Sequence, residues 1–415
     1  MNSHTLVVYI QDTKVGRLTL SDGSRIEFRL LESYKKLYPR PVLGQVFIED
    51  LHKVHSSRSR LPEWFSNLLP DGLLRELIIK QLQTDIDNDF SLLAHLGEEL
   101  PGAVRVVAEE TELQDLLQYE HEETNTFEEE ESTAPEDNPH KFSMTNLQLK
   151  LSAFKEGKGL TIPREGVQGD WIIKLPGQKF PRVPENEWSM MTWARESGID
   201  VPDFLLLDLN EIKGLPEKSF FGDEQWAYAI ERFDRSKNPR RIHFEDFAQI
   251  LNVYPERAFK KGNYLSIGRI ISSITQSEDD LEEYLRRVIF IILSGNGDAH
   301  LKNWALIYPD GYKARLSPAY DFVSTLSFFE NEDLALNFDK RSKKQWEKVT
   351  SASFVRLYKK IGITKPEDEI KAFVQNTVSK MMDAWRQLEG TLRLDEEARQ
   401  ALKQHWKRLR LLRGE

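Results

Sequence analysis

The chain has 415 residues and a mass of 48.4 kDa, too long for one small core and suited to two or three domains. It has no cysteine, which excludes disulfide scaffolds, thiolate-held zinc, iron–sulfur clusters and thiol nucleophiles. The formal charge of −10 is local, because Glu109 to Asp137 holds thirteen acidic residues and no Lys or Arg; without them the chain carries +3 and gives little support to direct DNA binding.

The front segment opens with strand-like runs at TLVVYI, VGRLTL, SRIEFRL and GQVFIED, separated by the turn formers DTK, SDG and PRP. Apolar residues at helical spacing (Trp64, Leu68, Leu69, Leu73, Leu77, Ile78) then predict helix, broken at Pro70. A short helix over DFSLLAHLG is expected to end at Gly97 in a left-handed cap. The acidic stretch that follows reads either as a solvated linker or as an acidic arm for a basic partner.

The back segment begins with strands at LQLKLSAF, WIIKLP, FLLLDL and QWAYAIERFD, with a helix from about Asn186 to Ser197 among them. After Asp234 the pattern turns helical, at FEDFAQIL, LSIGRIISSI and Leu281 to Ser294. One hairpin, WALIYPDGYKARLS, interrupts it, and helices close the chain from about Ala352. A strand-rich half followed by a helical half predicts two lobes with a cleft between them. The longest apolar run, Val288 to Leu293, is far short of the roughly 20 residues that span a bilayer. No signal segment is visible at the start, so no membrane role and a cytoplasmic location are expected.

The densest polar feature is SGNGDAHLKN, Ser294 to Asn303, set between an apolar helix and a strand. Asp298 precedes Asn303 by five positions, and a hairpin later Tyr320 and Asp321 close the pattern. Phosphoryl transfer needs a carboxylate at the attacking hydroxyl and oxygen donors for Mg²⁺, a combination this spacing can supply. Asp and Asn also take plain turn roles in such loops. Lys174 sits in an otherwise apolar strand, either snorkelling at an edge or meeting buried negative charge. Glu187, thirteen residues on and on a helix, is the right type to pair with it. The backbone around Glu231 to Phe233 has the place of a connector between lobes, suited to an adenine edge.

These motifs together resemble the HipA-type serine/threonine kinases, the toxin half of bacterial toxin–antitoxin pairs. In the front segment the resemblance rests on FSNLLPDGLLRELI and DFSLLAHLGEELPGAVRV. Further on it rests on WIIKLP, NEWSMMTWARESGIDVP, AYAIERFDR, NGDAHLKN and LSPAYD. It implies an α+β chain: a small N-terminal α+β domain over residues 1–108, an acidic linker over 109–138 and a two-lobed protein-kinase-like domain. The strand-rich nucleotide lobe would span 139–235 and the mainly helical C-terminal lobe 236–415.

By the resemblance, Asp298 matches the catalytic Asp, and Asn303 and Asp321 match the Mg²⁺ ligands. Lys174, backed by Glu187, matches the nucleotide lysine. Glu231, Arg232 and Phe233 match the adenine connector, and His300, Leu301 and Lys302, with Tyr320, the phosphate side of the pocket. Ser143-Met-Thr-Asn-Leu-Gln-Leu-Lys150 aligns with the family's phosphate loop, which puts Thr145, Asn146, Leu147, Gln148, Leu149 and Lys150 against the nucleotide. Asn146 stands where the family has glycine; Asn tolerates left-handed backbone better than most residues. Ser143 matches a serine whose autophosphorylation switches such kinases off.

The implied activity is ATP- and Mg²⁺-dependent phosphorylation of a protein, an aminoacyl-tRNA synthetase in known cases, with growth arrest as the outcome. The implied partner is a helix-turn-helix antitoxin, through which DNA is met indirectly. A small-molecule kinase of this fold, and an interaction or co-repressor module with little activity, are the alternative readings.

Overall fold

The computed structural model describes residues 4–21, 24–81, 89–108, 148–156, 159–162, 169–177, 179–215, 223–236, 240–330, 332–339 and 344–414. Ser143, Thr145, Asn146, Leu147 and the acidic stretch lie outside the described residues.

The front of the chain builds a five-stranded antiparallel sheet from β1 (His4–Ile10), β2 (Thr13–Ser21), β3 (Arg25–Leu30), β4 (His55–Arg58) and β5 (Val104–Ala108), in the order β4-β3-β2-β1-β5. Strict alternation in β3 sends Ile26, Phe28 and Leu30 inward and Arg25 and Arg29 to solvent. Phe28 meets Phe65 and Phe47 at ring-centre distances of 4.7 and 5.1 Å, and Trp64 and Phe90 complete this core.

Two expectations fail here. GQVFIED is not a strand: Gln45–Ile48 forms a single helical turn. Val46 and Phe47 are neighbours yet both buried, which a strand with one buried face cannot arrange. Gly97 is not a left-handed cap, since its φ is not positive. It is needed instead because a Cβ there would stand 1.7 Å from the Val106 carbonyl oxygen.

The second sheet has six strands in the order β10-β7-β6-β8-β11-β9. They are β6 (Lys150–Glu156), β7 (Gly159–Thr161), β8 (Trp171–Lys174), β9 (Phe204–Asp208), β10 (Ile212–Lys213) and β11 (Trp226–Glu231). One helix, Val183–Glu196, packs behind β11 and β9. Its Trp193 is gripped from the other side by Phe290 and Trp385, at 4.8 and 4.9 Å, and donates to the Met381 carbonyl at 2.7 Å. The helix is thereby fixed to the helical lobe.

That lobe is built on Tyr264–Thr275, Glu278–Ser294, Ser351–Ile361, Glu367–Leu388 and Glu396–Arg408. It carries a small sheet of β12 (His243–Asp246), β13 (Ala305–Tyr308) and β14 (Arg315–Leu316). The predicted helix over FEDFAQIL is half strand. Phe244 to Asp246 pair with β13 far along the chain, and Asp246 then caps the Phe247–Ile250 turn in a capping box with Gln249. Among the described residues no helix is long and apolar enough to cross a membrane.

Candidate active site

The cleft lies between the six-stranded sheet and the helical lobe. β8 is flanked by β6 and β11, and its register places Lys174 directly across from Lys150 on one side and Tyr228 on the other. Two lysines at facing positions repel one another, so the arrangement demands anions. Glu187 supplies one, at 2.5 Å from the Lys174 Nζ, and Asp321 contacts the same ammonium group. Asp321 is also 3.7 Å from Lys150 Nζ. Burial is the largest influence on Lys174 and pushes it down to about 8, with Glu187 pulling the other way. Lys150 is likewise lowered, first by burial and against Glu187.

On the opposite wall the Glu278–Ser294 helix stops at Gly295, whose φ of +61° turns the chain sharply into the polar loop. Asn296, fully buried, ties the site together. Its Oδ1 accepts from the Asp298 amide at 3.1 Å, and its Nδ2 donates to the Asp321 carbonyl at 3.3 Å. Asp298 is buried at the floor of the cleft. The His300 ring meets Phe259 edge-on at 4.4 Å, and its Nδ1 accepts from the Lys302 amide at 3.2 Å. Burial, then Lys302 and Lys150, push His300 down to about 3, so the imidazole is neutral. Leu301 is fully buried and anchors the loop in the helical core.

Asp321 stands in left-handed backbone at φ +57°, a conformation that costs a non-glycine residue about 1–3 kcal/mol and is concentrated at functional sites. Asn186, on the helix that carries Glu187, clamps the chain just beyond by exchanging hydrogen bonds of 2.8 and 3.0 Å with the Ser324 backbone. Tyr320 donates to the Lys302 carbonyl at 2.9 Å, fixing the end of the hairpin to the polar loop.

Asn303 stands outside this pairing. Both of its amide atoms are buried and have no hydrogen-bonding partner among the described residues. Buried amides are nearly always satisfied, so this one is poised for something else. Asn303, Asn296 and Asp321 share the wall of a cavity of about 10 Å³, roughly the size of one water. Among the described residues no three His, Asp or Glu cluster into a self-sufficient metal site. Mg²⁺ in phosphoryl-transfer enzymes does not need one, being held by one or two carboxylates together with substrate phosphates. The Asp321 carboxylate and Asn303 carbonyl fit that donor set.

The connector divides its work. The amides of Glu231 and Arg232 already donate to the Asp203 and Asp170 carbonyls, at 2.7 and 2.8 Å. The Phe233 ring lies between Tyr320 and Phe244, at 5.5 and 5.2 Å. The Arg232 guanidinium points away from the cleft onto Asp234, with bonds of 2.9 and 2.8 Å. Leu149 is buried in the sheet core, and the Gln148 Nε2 is buried without a partner among the described residues. Asn296, Asn186 and Asp71, which meets Lys302 at 2.5 Å, escaped sequence reasoning. Asn296 lies inside SGNGDAHLKN and Asp71 inside LLPDG, but nothing local marks either for the cleft.

Comparisons with known proteins agree with this layout. A model described as the HipA N-terminal domain matches residues 6–107, and one described as the HipA-like C-terminal domain matches 140–385. The protein Y4dM of Sinorhizobium fredii, whose name assigns it provisionally to the kinases, is 41% identical over 349 residues, 81% of each chain. The serine/threonine-protein kinase toxin HipA of Shewanella oneidensis is 24% identical over 302 residues, 66% of this chain and 65% of that one. The solved structure of Shewanella oneidensis HipA with HipB and operator DNA superposes with a TM-score of 0.72 at 19% identity, covering 99% of this chain and 96% of that chain. With both models matched in order and a relative of 41% identity aligned over 81% of the length, the chain belongs to the HipA family of kinases.

Proposed function

We propose that this chain is an ATP- and Mg²⁺-dependent kinase that phosphorylates serine or threonine on a protein. One observation carries the proposal. A strained Asp321 is gripped by a lysine that is itself gripped by Glu187, beside an Asn303 amide buried without a partner among the described residues. Lys174 and Lys150, forced together by strand register, would draw the nucleotide phosphates. Asn303 and Asp321 would hold Mg²⁺, which supplies charge neutralisation on those phosphates. Asp298 accepts the proton of the acceptor hydroxyl as its oxygen bonds to phosphorus, while the bond from that phosphorus to the ADP oxygen breaks. Lys302, next to Asn303, is placed to steady the transferred group.

The acceptor class follows the family: a protein hydroxyl, with aminoacyl-tRNA synthetases as candidates. A helix-turn-helix antitoxin is the proposed partner, in line with the Shewanella complex of HipA, HipB and operator DNA. Autophosphorylation at Ser143 is proposed as the restraint, since roughly −1.5 to −2 charges added there would oppose the nucleotide phosphates.

The test is direct. Purified chain with labelled ATP, Mg²⁺ and cell lysate should label serine or threonine in protein bands. A ligand at 100 times its dissociation constant should also stabilise the fold by about 2.7 kcal/mol. Absence of both label and thermal stabilisation at millimolar nucleotide would overturn the reading.

A further inference from the structure

We propose that Asp71 is a positioning residue for phosphoryl transfer, lent to the catalytic cleft by the front domain, and that it fixes the Lys302 ammonium. This rests on the kinase reading above.

The Lys302 backbone has no freedom of its own. Its amide is held by His300 Nδ1 at 3.2 Å and its carbonyl by the Tyr320 hydroxyl at 2.9 Å. Only the side chain could wander, and Asp71 Oδ2 stops it at 2.5 Å from Nζ. Both groups are half-buried, so the pair is less screened by water than an exposed one. Asp71 and Lys302 act on the same neighbours: each shifts the proton affinity of Lys150 and of Asp246. The front-domain carboxylate therefore sits inside the electrostatic cluster of the cleft.

Local sequence explains how it gets there. The helical turn Glu63–Ser66 ends four residues before Pro70, and Gly72, at φ +58°, opens the helix Gly72–Gln81, so Asp71 stands at the bend just ahead of that helix. Leu74 and Leu77 of this helix pack on the core of the six-stranded sheet, whereas Ile78 packs on the front-domain core. Arg75 pins it to Asp89 at 2.7 Å. One short helix thus bears on the front domain and the nucleotide lobe, and Asp71, just ahead of it, reaches the polar loop of the helical lobe.

A mere domain clamp has no reason to end beside Asn303. The front domain is already fastened elsewhere, through Glu245 and Asp234, away from the cleft. Asp71 instead aligns an ammonium that would otherwise sweep a wide arc on its four-carbon stem. Any partner that shifts the front domain would move this ammonium and so change the rate of transfer.

The experiment compares wild type, Asp71→Asn, Asp71→Glu, Lys302→Met and the double variant Asp71→Asn/Lys302→Met in the full chain. Readouts are kcat, the ATP dissociation constant from thermal shift, and Tm. Asp71→Asn should lower kcat on the order of 100-fold, as for a catalytic group displaced by about 1 Å, while ATP binding and Tm hold. Asp71→Glu should restore part of the loss. The double variant should be no slower than Lys302→Met alone, because the two act as a unit. Wild-type rates from Asp71→Asn, or losses that multiply in the double variant, would overturn the proposal. An inactive wild type would instead overturn the kinase reading itself.

Discussion

The seam between the front domain and the helical lobe, and the cleft between the two lobes, both bury charge, and they settle it in opposite ways. In the seam, Glu245 accepts from Trp64 Nε1 at 3.2 Å, the Gln45 amide at 3.0 Å and the Tyr308 hydroxyl at 2.5 Å. Asp234 accepts from Arg232, from Arg235 at 2.8 Å and from the Gly102 amide at 2.8 Å. Burial is the largest single influence and would raise the Asp234 carboxyl, but Arg232, Arg235 and the Gly102 amide together hold it below its usual range. Both carboxylates there are met by donors from within the chain. In the cleft, two lysines face each other, one aspartate is strained and the Asn303 amide has no partner among the described residues. Charge completed internally serves the fold; charge left incomplete, at the cost of strain, serves something that arrives.

That contrast can be broken by substitution. The largest effect expected is on Asp298→Asn, which should cut phosphoryl transfer by about 10²–10⁴-fold, the usual worth of a general base. Its Tm should stay at the wild-type value. Undiminished ³²P incorporation by this variant would remove Asp298 from its role. Asp234→Ala should behave in the reverse manner. It removes the buried carboxylate shared by Arg232 and Arg235 and should cost about 3–5 kcal/mol in denaturant unfolding. If Asp234→Ala unfolds like wild type, the seam does not hold the front domain to the helical lobe through this carboxylate.

Asn303→Ala sharpens the comparison further. Removing a buried amide that has no partner among the described residues should leave stability equal or slightly higher. The Mg²⁺ concentration for half-maximal transfer should rise by at least about tenfold. A clear loss of stability with unchanged Mg²⁺ dependence would make Asn303 a seam-like residue after all.

How much of this was legible in the sequence follows the same divide. Lys174 announces itself as a lone cation in an apolar strand, and Asp298, Asn303 and Asp321 by their spacing around a hairpin. Such signals are local, so a single chain suffices to read them. The alternation in β3 and the long apolar face of Glu278–Ser294 were legible for the same reason. What escaped depends on pairing across the chain. The Gln45–Ile48 turn is set by Glu245 two hundred positions on, and Phe244 to Asp246 become a strand only because β13 lies beside them. The Arg232 guanidinium belongs to the seam although its backbone lines the connector. Asp71 meets Lys302 across 231 positions, a distance over which no periodicity or propensity carries information.

The last expected effect concerns pH, and it isolates one group. Burial pushes Glu245 up to about 7 from 4.5, against the hydrogen bonds of Tyr308, Trp64 and Gln45. Its folded pKa lies above its unfolded value, so the stability it contributes is complete below about pH 4.5 and is lost as pH rises through 7. Asp246, raised to about 6 mainly by burial, acts in the same direction. His243 and His405, buried and pushed down to about 4, act in the opposite one, since the unfolded chain takes up their protons below pH 6.5. The total profile therefore mixes both signs, and only a difference reads Glu245. The unfolding free energy of wild type minus that of Glu245→Gln should fall steadily between about pH 4.5 and 7 and be flat on either side. Parallel curves across that window would mean that this carboxyl titrates in the fold as it does in water, and that the seam carries its charge without penalty.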